Sequence, residues 1–400
     1  MKLLFLTSRL PYPPNRGDRL RAFYFLRELS ETHEITLVSF IAKEAERDYI
    51  PLLQPYCEAV HVVKQSLWQS ITAVLSNLWQ PHPLQLSYYQ SPIMAQLIDQ
   101  LVANNSFDAA YVHLFRMSPY VAAHGELYRI VDLTDVISQE ITLSLPYRSL
   151  LWRTIYKMER PRIWQYEQEV AHQFEESWLI ADADRQILAN ACPKANIQLV
   201  PNGVDTKKIR PLSRLRQPNS LIFVGHLGVF HNVDAVKFLV EDILPIVQQH
   251  IPTCTLNIVG AGPLDEVEQF GDHYGVTITG FVEDLNLVLN ETAVFVAPLR
   301  FSAGVQNKVL EAMAAGLPAV VTSNVNGGLG AEADRHLLVG DTPAQLAVHI
   351  IRLLQNQTLR DEIGRAARQF VVQQFSWHHV TKRLEQIEQQ LPTVRHDTVS

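Results

Sequence analysis

Short β-branched or apolar runs alternate with longer helical patterns from one end of this chain to the other, and that alternation restricts the fold more than any other feature. Runs at Leu3–Leu6, Glu34–Phe40, Ala59–Val63, Ala109–Val112, Tyr128–Val131 and Trp178–Ile180 read as strands of a first sheet. Ser220–Val224, Thr255–Val259, Val276–Ile278, Val294–Ala297 and Ala319–Thr322 read as strands of a second. Helices fit between most strands of the first set and between each pair of the second, so the expected fold class is α/β, with two Rossmann-like doubly wound domains. The division expected is 1–200, 201–375, and a final helix and tail over 376–400 that crosses back to the first domain. The break falls at Val200-Pro201-Asn202-Gly203-Val204-Asp205, where Pro, Asn and Gly mark a turn. Arg210–Asn219, with Pro211 and Pro218, reads as an exposed linker.

Two such domains facing each other would leave a cleft at the carboxyl ends of their sheets, where ligands of these folds bind. The loops after strands are therefore where chemistry is expected. After the strand ending at Ala297, a loop around Gly304 and Val305 opens a helix whose first turn holds Gln306, Asn307 and Lys308. A helix start suits a diphosphate, and Lys308 adds a point charge. Glu311, about a turn later, is placed to accept hydrogen bonds from sugar or ribose hydroxyls. Gly316 and Pro318 end the helix. In the first half, Tyr12-Pro13-Pro14-Asn15-Arg16-Gly17-Asp18-Arg19 follows the first strand. Gly17 permits close approach of a phosphate, and Arg16 or Arg19 supplies charge.

Charge excludes other classes. The net charge is -7, with 18 basic against 21 acidic residues in the first 200 positions and 16 against 20 in the rest, so neither half is a nucleic-acid-binding domain by bulk charge. Arg148, Arg153, Lys157, Arg160 and Arg162 form one local basic stretch, interleaved with Trp152 and Tyr156, and it reads equally as a solvated helix face or as a patch for phosphate or lipid headgroups. Cys57, Cys192 and Cys254 form no CxxC pair, which argues against a disulfide framework or structural zinc. Asp132, Asp135 and Glu140 are read as helix caps and loop hydrogen bonds, and no metal is expected. Thr7-Ser8-Arg9-Leu10-Pro11 lacks the G-x-G-x-x-G of a nicotinamide oxidoreductase. Met1–Ser8 is too short an apolar run for a signal peptide and nothing is long enough to span a bilayer, so the expected location is cytoplasmic. Trp68, Ile71, Leu75, Leu78 and Trp79 make one apolar helical face, with core packing as the default reading and an interfacial role as the alternative.

The segment Pro298–Thr322 just described resembles glycosyltransferase family 4, whose members are retaining GT-B enzymes. Four further motifs in the same order strengthen the resemblance: Val200-Pro201-Asn202-Gly203-Val204-Asp205; Phe223-Val224-Gly225-His226-Leu227 with Asn232-Val233-Asp234-Ala235; Ile258-Val259-Gly260-Ala261-Gly262-Pro263; and Gly280-Phe281-Val282-Glu283-Asp284. The Gly17 loop and Asp132-Leu133-Thr134-Asp135 resemble a bacterial subgroup linked to surface-polysaccharide synthesis. The resemblance implies a retaining transferase that takes a nucleotide-diphosphate sugar as donor and a saccharide or lipid-linked acceptor, with peripheral membrane contact at the inner face and no cofactor. In the family, two basic residues after the first strand of the second domain hold the diphosphate. Here His226 and Asn232 stand at those places, and Lys308 is the expected replacement. Phe281 and Val282 would lie against the base, or Phe281 would pack in the core. The family's first glutamate falls at Ala303, so backbone amides of Ala303, Gly304 and Val305 would take over its contact with the sugar. His113, at the end of its strand, matches a sugar-contacting histidine and joins Glu311 as a candidate catalytic residue. A nucleotide-sugar epimerase and a non-catalytic GT-B subunit are the alternatives.

Overall fold

The computed structural model describes residues 1–14, 17–145, 150–213, 216–300 and 305–390. Two compact units emerge, Met1–Pro201 with the described part of Thr381–Ser400, and Asn202–Val380. The first holds a parallel sheet of strands β1 (Lys2–Thr7), β2 (Glu34–Ile41), β3 (Ala59–Lys64), β4 (Ala109–His113), β5 (Tyr128–Thr134), β6 (Glu176–Leu179) and β7 (Ile197–Leu199), in the order β3-β2-β1-β4-β5-β6-β7. The second holds β8 (Ser220–Val224), β9 (Thr255–Val259), β10 (Val276–Gly280), β11 (Val294–Ala297), β12 (Ala319–Val321) and β13 (Leu338–Val339), in the order β10-β9-β8-β11-β12-β13. In both, the winding reverses next to the first strand, between β1 and β4 and between β8 and β11. Ligands of open α/β sheets bind outside the carboxyl ends of strands at such a reversal.

Sequence explains these strands directly. A parallel strand covered by helices on both faces must be apolar throughout, and Leu3 to Leu6, Leu221 to Phe223 and Val294 to Ala297 are all buried. In the first unit, Phe5, Phe25, Tyr111 and Trp178 form an aromatic layer, with Tyr111 stacked on Phe25 at 5.6 Å and 4.5 Å from Phe5. That layer seats the Gly17–Leu29 helix on the sheet.

Two strands carry no sequence signal: β7 and β13 are edge strands of three and two residues, too short to show a period. β6 begins two residues earlier than expected, at Glu176, because this glutamate is buried with partners. It accepts from Trp178 Nε1 (2.8 Å) and from Arg383 Nε (3.2 Å). Arg383 lies on the Trp377–Gln390 helix, in the part of the chain that groups with the first unit.

The Arg210–Asn219 stretch corrects the linker reading. It belongs to the second unit and is pinned there, Arg210 N–H donating to Asn286 Oδ1 (3.0 Å) and Leu212 N–H to Asn290 Oδ1 (2.7 Å). Gly203 has a packing reason: a Cβ there would stand 2.6 Å from the Trp377 ring.

Candidate active site

In the second unit the reversal lies between β8 and β11, and three residues meet there. Lys308, on the Asn307–Ala314 helix, donates from Nζ to Asn232 Oδ1. Asn232, on the Phe230–Phe238 helix, donates in turn from Nδ2 to the His226 carbonyl (2.9 Å). The Lys308 ammonium also lies 5.2 Å from the centre of the Phe223 ring. Close backbone packing makes this possible. A Cβ on Gly225 would stand 2.9 Å from Asn232 Cγ, and one on Gly260 would stand 1.6 Å from the Gly225 carbonyl oxygen. The β8 loop is stitched to the β9 loop by Gly225 N–H to Val259 O (3.0 Å) and Leu227 N–H to Ala261 O (2.9 Å).

The Asn307–Ala314 helix begins at Gln306, whose side chain makes no cap hydrogen bond to the first turn. Val305 just before it is buried, and Asn307 Oδ1 is buried with no hydrogen-bond partner. Burial pushes Lys308 down to about 7, against the pull of Glu311, and pushes Glu311 up to about 7, against Lys208 and Lys308. Burial, together with Lys308, lowers His231 to about 4, so that ring is neutral near pH 7. A lysine and a glutamate both poised near neutrality, one turn apart on one helix, are suited to a ligand that brings its own charge.

Phe281 is 75% exposed, so it does not pack in the core, whereas the half-buried Val282 does touch the core. His226 is held at the loop by Gly228 N–H donating to its Nδ1 (3.2 Å). Lys208 and His231 escape sequence reasoning. The first lies in a turn organised by Asp205, whose Oδ1 accepts from Lys207 N–H (3.1 Å) and Lys208 N–H (3.0 Å). Only proximity in space to Glu311 and Lys308 distinguishes the two. Arg16, Arg148, Ala303 and Gly304 lie outside the described residues.

In the first unit, Asp132 near the end of β5 is fully buried and bonded by Arg21 Nε (2.6 Å) and by the Tyr111 hydroxyl. This corrects the helix-cap reading of Asp132. Burial opposes its ionisation, but Arg21 and then His113 hold it well below the usual carboxylate range. Arg21 also donates to the carbonyls of Val200 (2.9 Å) and Pro201 (3.1 Å). His113 pairs in register with Thr7 and Asp132, and its Nδ1 stands 3.5 Å from Asp132 Oδ2, too far for a strong hydrogen bond. Both ring nitrogens are buried without a hydrogen-bond partner. Leu114, immediately after, has φ 71°, a conformation that strains a non-glycine residue and that recurs at functional sites. Asp135 is pushed up to about 7 by burial and by Asp184 and Glu140.

Gly17 opens its helix with nothing within 4 Å of a Cβ built on it, so packing does not demand a glycine there. Arg19 is committed to Glu46 (2.7 Å). The first unit also holds a cavity of about 630 Å³, lined in part by Asn77, Gln80, Tyr89, Arg116, Tyr120 and His124. A smaller one of about 450 Å³, lined by Lys2, Glu34 and Asp108, is at the amino-terminal ends of the strands, the wrong end for ligand chemistry in such a sheet.

Residues 218–356 match the family model for glycosyl transferases group 1. The chain is similar over 94% of its length to an uncharacterized 44.6 kDa protein from the cps region of Klebsiella pneumoniae (21% identical, 96% of that protein covered). It is 29% identical over 203 residues to a phosphatidyl-myo-inositol mannosyltransferase of Mycobacterium tuberculosis, a match spanning 47% of this chain and 52% of that one. Among solved structures, sucrose-phosphate synthase from Thermosynechococcus elongatus superposes with a TM-score of 0.70 at 13% identity, covering 98% of both chains. Anabaena HepE, solved with UDP and glucose, gives 0.66 at 14% identity, covering 98% of this chain and all of that one. Two parallel-sheet units of this winding, the second carrying a group 1 segment, define a glycosyltransferase of GT-B fold. Within that class, the cps-region protein is a relative that this chain matches nearly end to end.

Proposed function

We propose that this glycosyltransferase moves a sugar from a nucleotide-diphosphate donor to a saccharide or lipid-linked acceptor in surface-polysaccharide synthesis, with retention at the anomeric carbon. The observation that carries the reading is the meeting of Lys308, Asn232 and the His226 carbonyl at the β8/β11 reversal, with Glu311 one turn further along the same helix. The diphosphate is placed at the start of the Asn307–Ala314 helix, where Lys308 takes a proton and neutralises charge developing on the leaving group. Protein groups fill that role without a metal. Glu311 accepts hydrogen bonds from hydroxyls of the donor, and the exposed Phe281 lies against the base. In the first unit, His113 is assigned to the transferred sugar, its buried Nε2 without a hydrogen-bond partner supporting the choice, and Gly17 to close approach of substrate. The acceptor hydroxyl attacks on the face from which the diphosphate departs, and the diphosphate helps to accept its proton.

Relatives support the polysaccharide setting: the cps-region protein and a glycogen synthase of Mycobacterium tuberculosis, the latter matched over 55% of its length. Radiolabelled donors supplied with and without polysaccharide or lipid-linked acceptors test the reading. Label appearing in an acceptor, with its anomeric configuration kept, is the expected result. Conversion of the donor sugar without acceptor would make the chain an epimerase instead.

A further inference from the structure

Arg300 stands just past the end of β11, and 44% of its side chain is exposed. An arginine beside a site that takes a diphosphate is ordinarily a candidate phosphate ligand. Its partners here point to another role. Nε donates to Asp234 Oδ2 (3.0 Å), Nη2 donates to Asp234 Oδ1 (2.5 Å), and the guanidinium carbon stands 4.6 Å from the centre of the Phe238 ring. Asp234 and Phe238 are four positions apart on the Phe230–Phe238 helix, so they are neighbours on one side of it. Two N–H···O bonds to one carboxylate fix a direction as well as a charge, and the ring contact adds to them. The backbone from which Arg300 departs is itself held, since the Thr322 hydroxyl donates to the carbonyl of the buried Leu299 (2.6 Å).

The same helix carries Asn232, whose amide holds Lys308 on one side and the His226 carbonyl on the other. Burial of Val233, Ala235 and Val236 seats this helix on the sheet, but apolar burial is non-directional and leaves its position along the sheet to polar contacts. Val229, the residue before the helix, has no polar side chain with which to cap it. The Arg300 fork supplies a directed contact from the end of β11. We infer that Arg300 is a positioning residue for the donor site: through Asp234 and Phe238 it fixes the Phe230–Phe238 helix to the end of β11, which sets Asn232 and, through it, Lys308. Arg300 itself does not bind the diphosphate. This role rests on the placement of the donor at the β8/β11 reversal.

Affinities of the full chain for UDP, GDP and ADP, measured by calorimetry, test this through the sign of one substitution. Asp234→Asn keeps the volume and removes the carboxylate that engages Arg300. A phosphate-binding arginine relieved of a competing carboxylate would bind nucleotide more tightly. A positioning arginine that loses its anchor binds it less well, by about fivefold for the nucleotide the parent prefers, in line with a partly exposed ion pair. Arg300→Gln should cause the same loss, and the two substitutions together no more than either alone, because they break one contact. In an Asn232→Ala chain Arg300→Gln should cost nothing further, since the link through which it acts is already gone. Arg300→Lys keeps the charge without the fork and should restore only part of the affinity. Thermal unfolding midpoints and circular dichroism check that each variant is folded at the temperature of titration. Tighter or unchanged binding by Asp234→Asn overturns the inference, as does an Arg300→Gln loss that adds in full to that of Asn232→Ala. A parent that binds none of the three nucleotides overturns the donor placement and this role with it, whereas a parent that binds and an indifferent Asp234→Asn overturn this role alone.

Discussion

Lys308 reaches across the β8/β11 reversal to the side-chain carbonyl of Asn232, joining two helices at the point where the sheet changes direction. Because Lys308 is held down to about 7 by burial, the pairing is with a lysine that is only partly charged at neutral pH. A diphosphate placed beside it raises that value. Binding of a nucleoside diphosphate at pH 8 is therefore expected to take up a proton, and affinity is expected to fall as pH rises above about 7. Calorimetry in HEPES and in Tris, which differ in ionisation enthalpy, measures the uptake. Lys308→Met should abolish it.

Asn232 holds Lys308 with one end of its amide and the His226 carbonyl with the other. Asn232→Ala removes both bonds and is expected to weaken nucleotide binding about five- to tenfold, in line with about 1 kcal/mol for a hydrogen bond of this kind. Gly225→Ala should do the same by pushing Asn232 aside, whereas Gly260→Ala meets backbone and is expected to destabilise the second unit by about 3 kcal/mol or more. Binding titrations and denaturant unfolding separate the two outcomes.

Glu311, pushed up to about 7, becomes a carboxylate only above that pH, while Lys308 loses its charge over the same range. A reaction that needs both charges has a bell-shaped pH profile with its maximum near neutrality. Lys308→Arg is expected to extend the alkaline limb. Glu311→Gln should lower kcat/KM by about 10- to 100-fold and flatten the acid limb, as expected for loss of a charged hydrogen-bond acceptor.

Arg21 and Asp132 form a pair with almost no exposure on either side. Removing one partner leaves the other charged and buried, so Arg21→Met or Asp132→Asn should each cost about 3–5 kcal/mol, and the double variant less than their sum. The aspartate's pKa is lowered in the folded state. Its contribution is therefore present above the ordinary aspartate range and is lost as pH falls through the folded value. Denaturant unfolding between neutral and acid pH reads both effects.

Much of the fold is legible in the sequence because parallel strands buried on two faces announce themselves as unbroken apolar runs: Ser220–Val224, Thr255–Val259 and Val294–Ala297 begin and end where the runs do. Lys308 and Glu311 are legible from their place in a helix that follows a strand and its loop. Arg21 is not, since its partner is 111 positions away, and neither is Lys208, whose relation to Glu311 is made by a turn. The Leu67–Ser76 helix defeats the pattern for another reason. Its Trp68, Ile71 and Leu75 are exposed, which overturns core packing for that face, and periodicity shows that a helix has an apolar side without showing whether anything covers it.

Thermal titration of the protein with UDP, GDP, ADP and their sugar conjugates tests the central claim most directly, since a ligand that binds only the folded state raises its melting temperature by mass action. One nucleotide is expected to stand out, with its shift lost in Lys308→Ala and in Glu311→Ala. No shift with any of them, or a shift indifferent to both substitutions, would contradict the placement of the donor at the β8/β11 reversal.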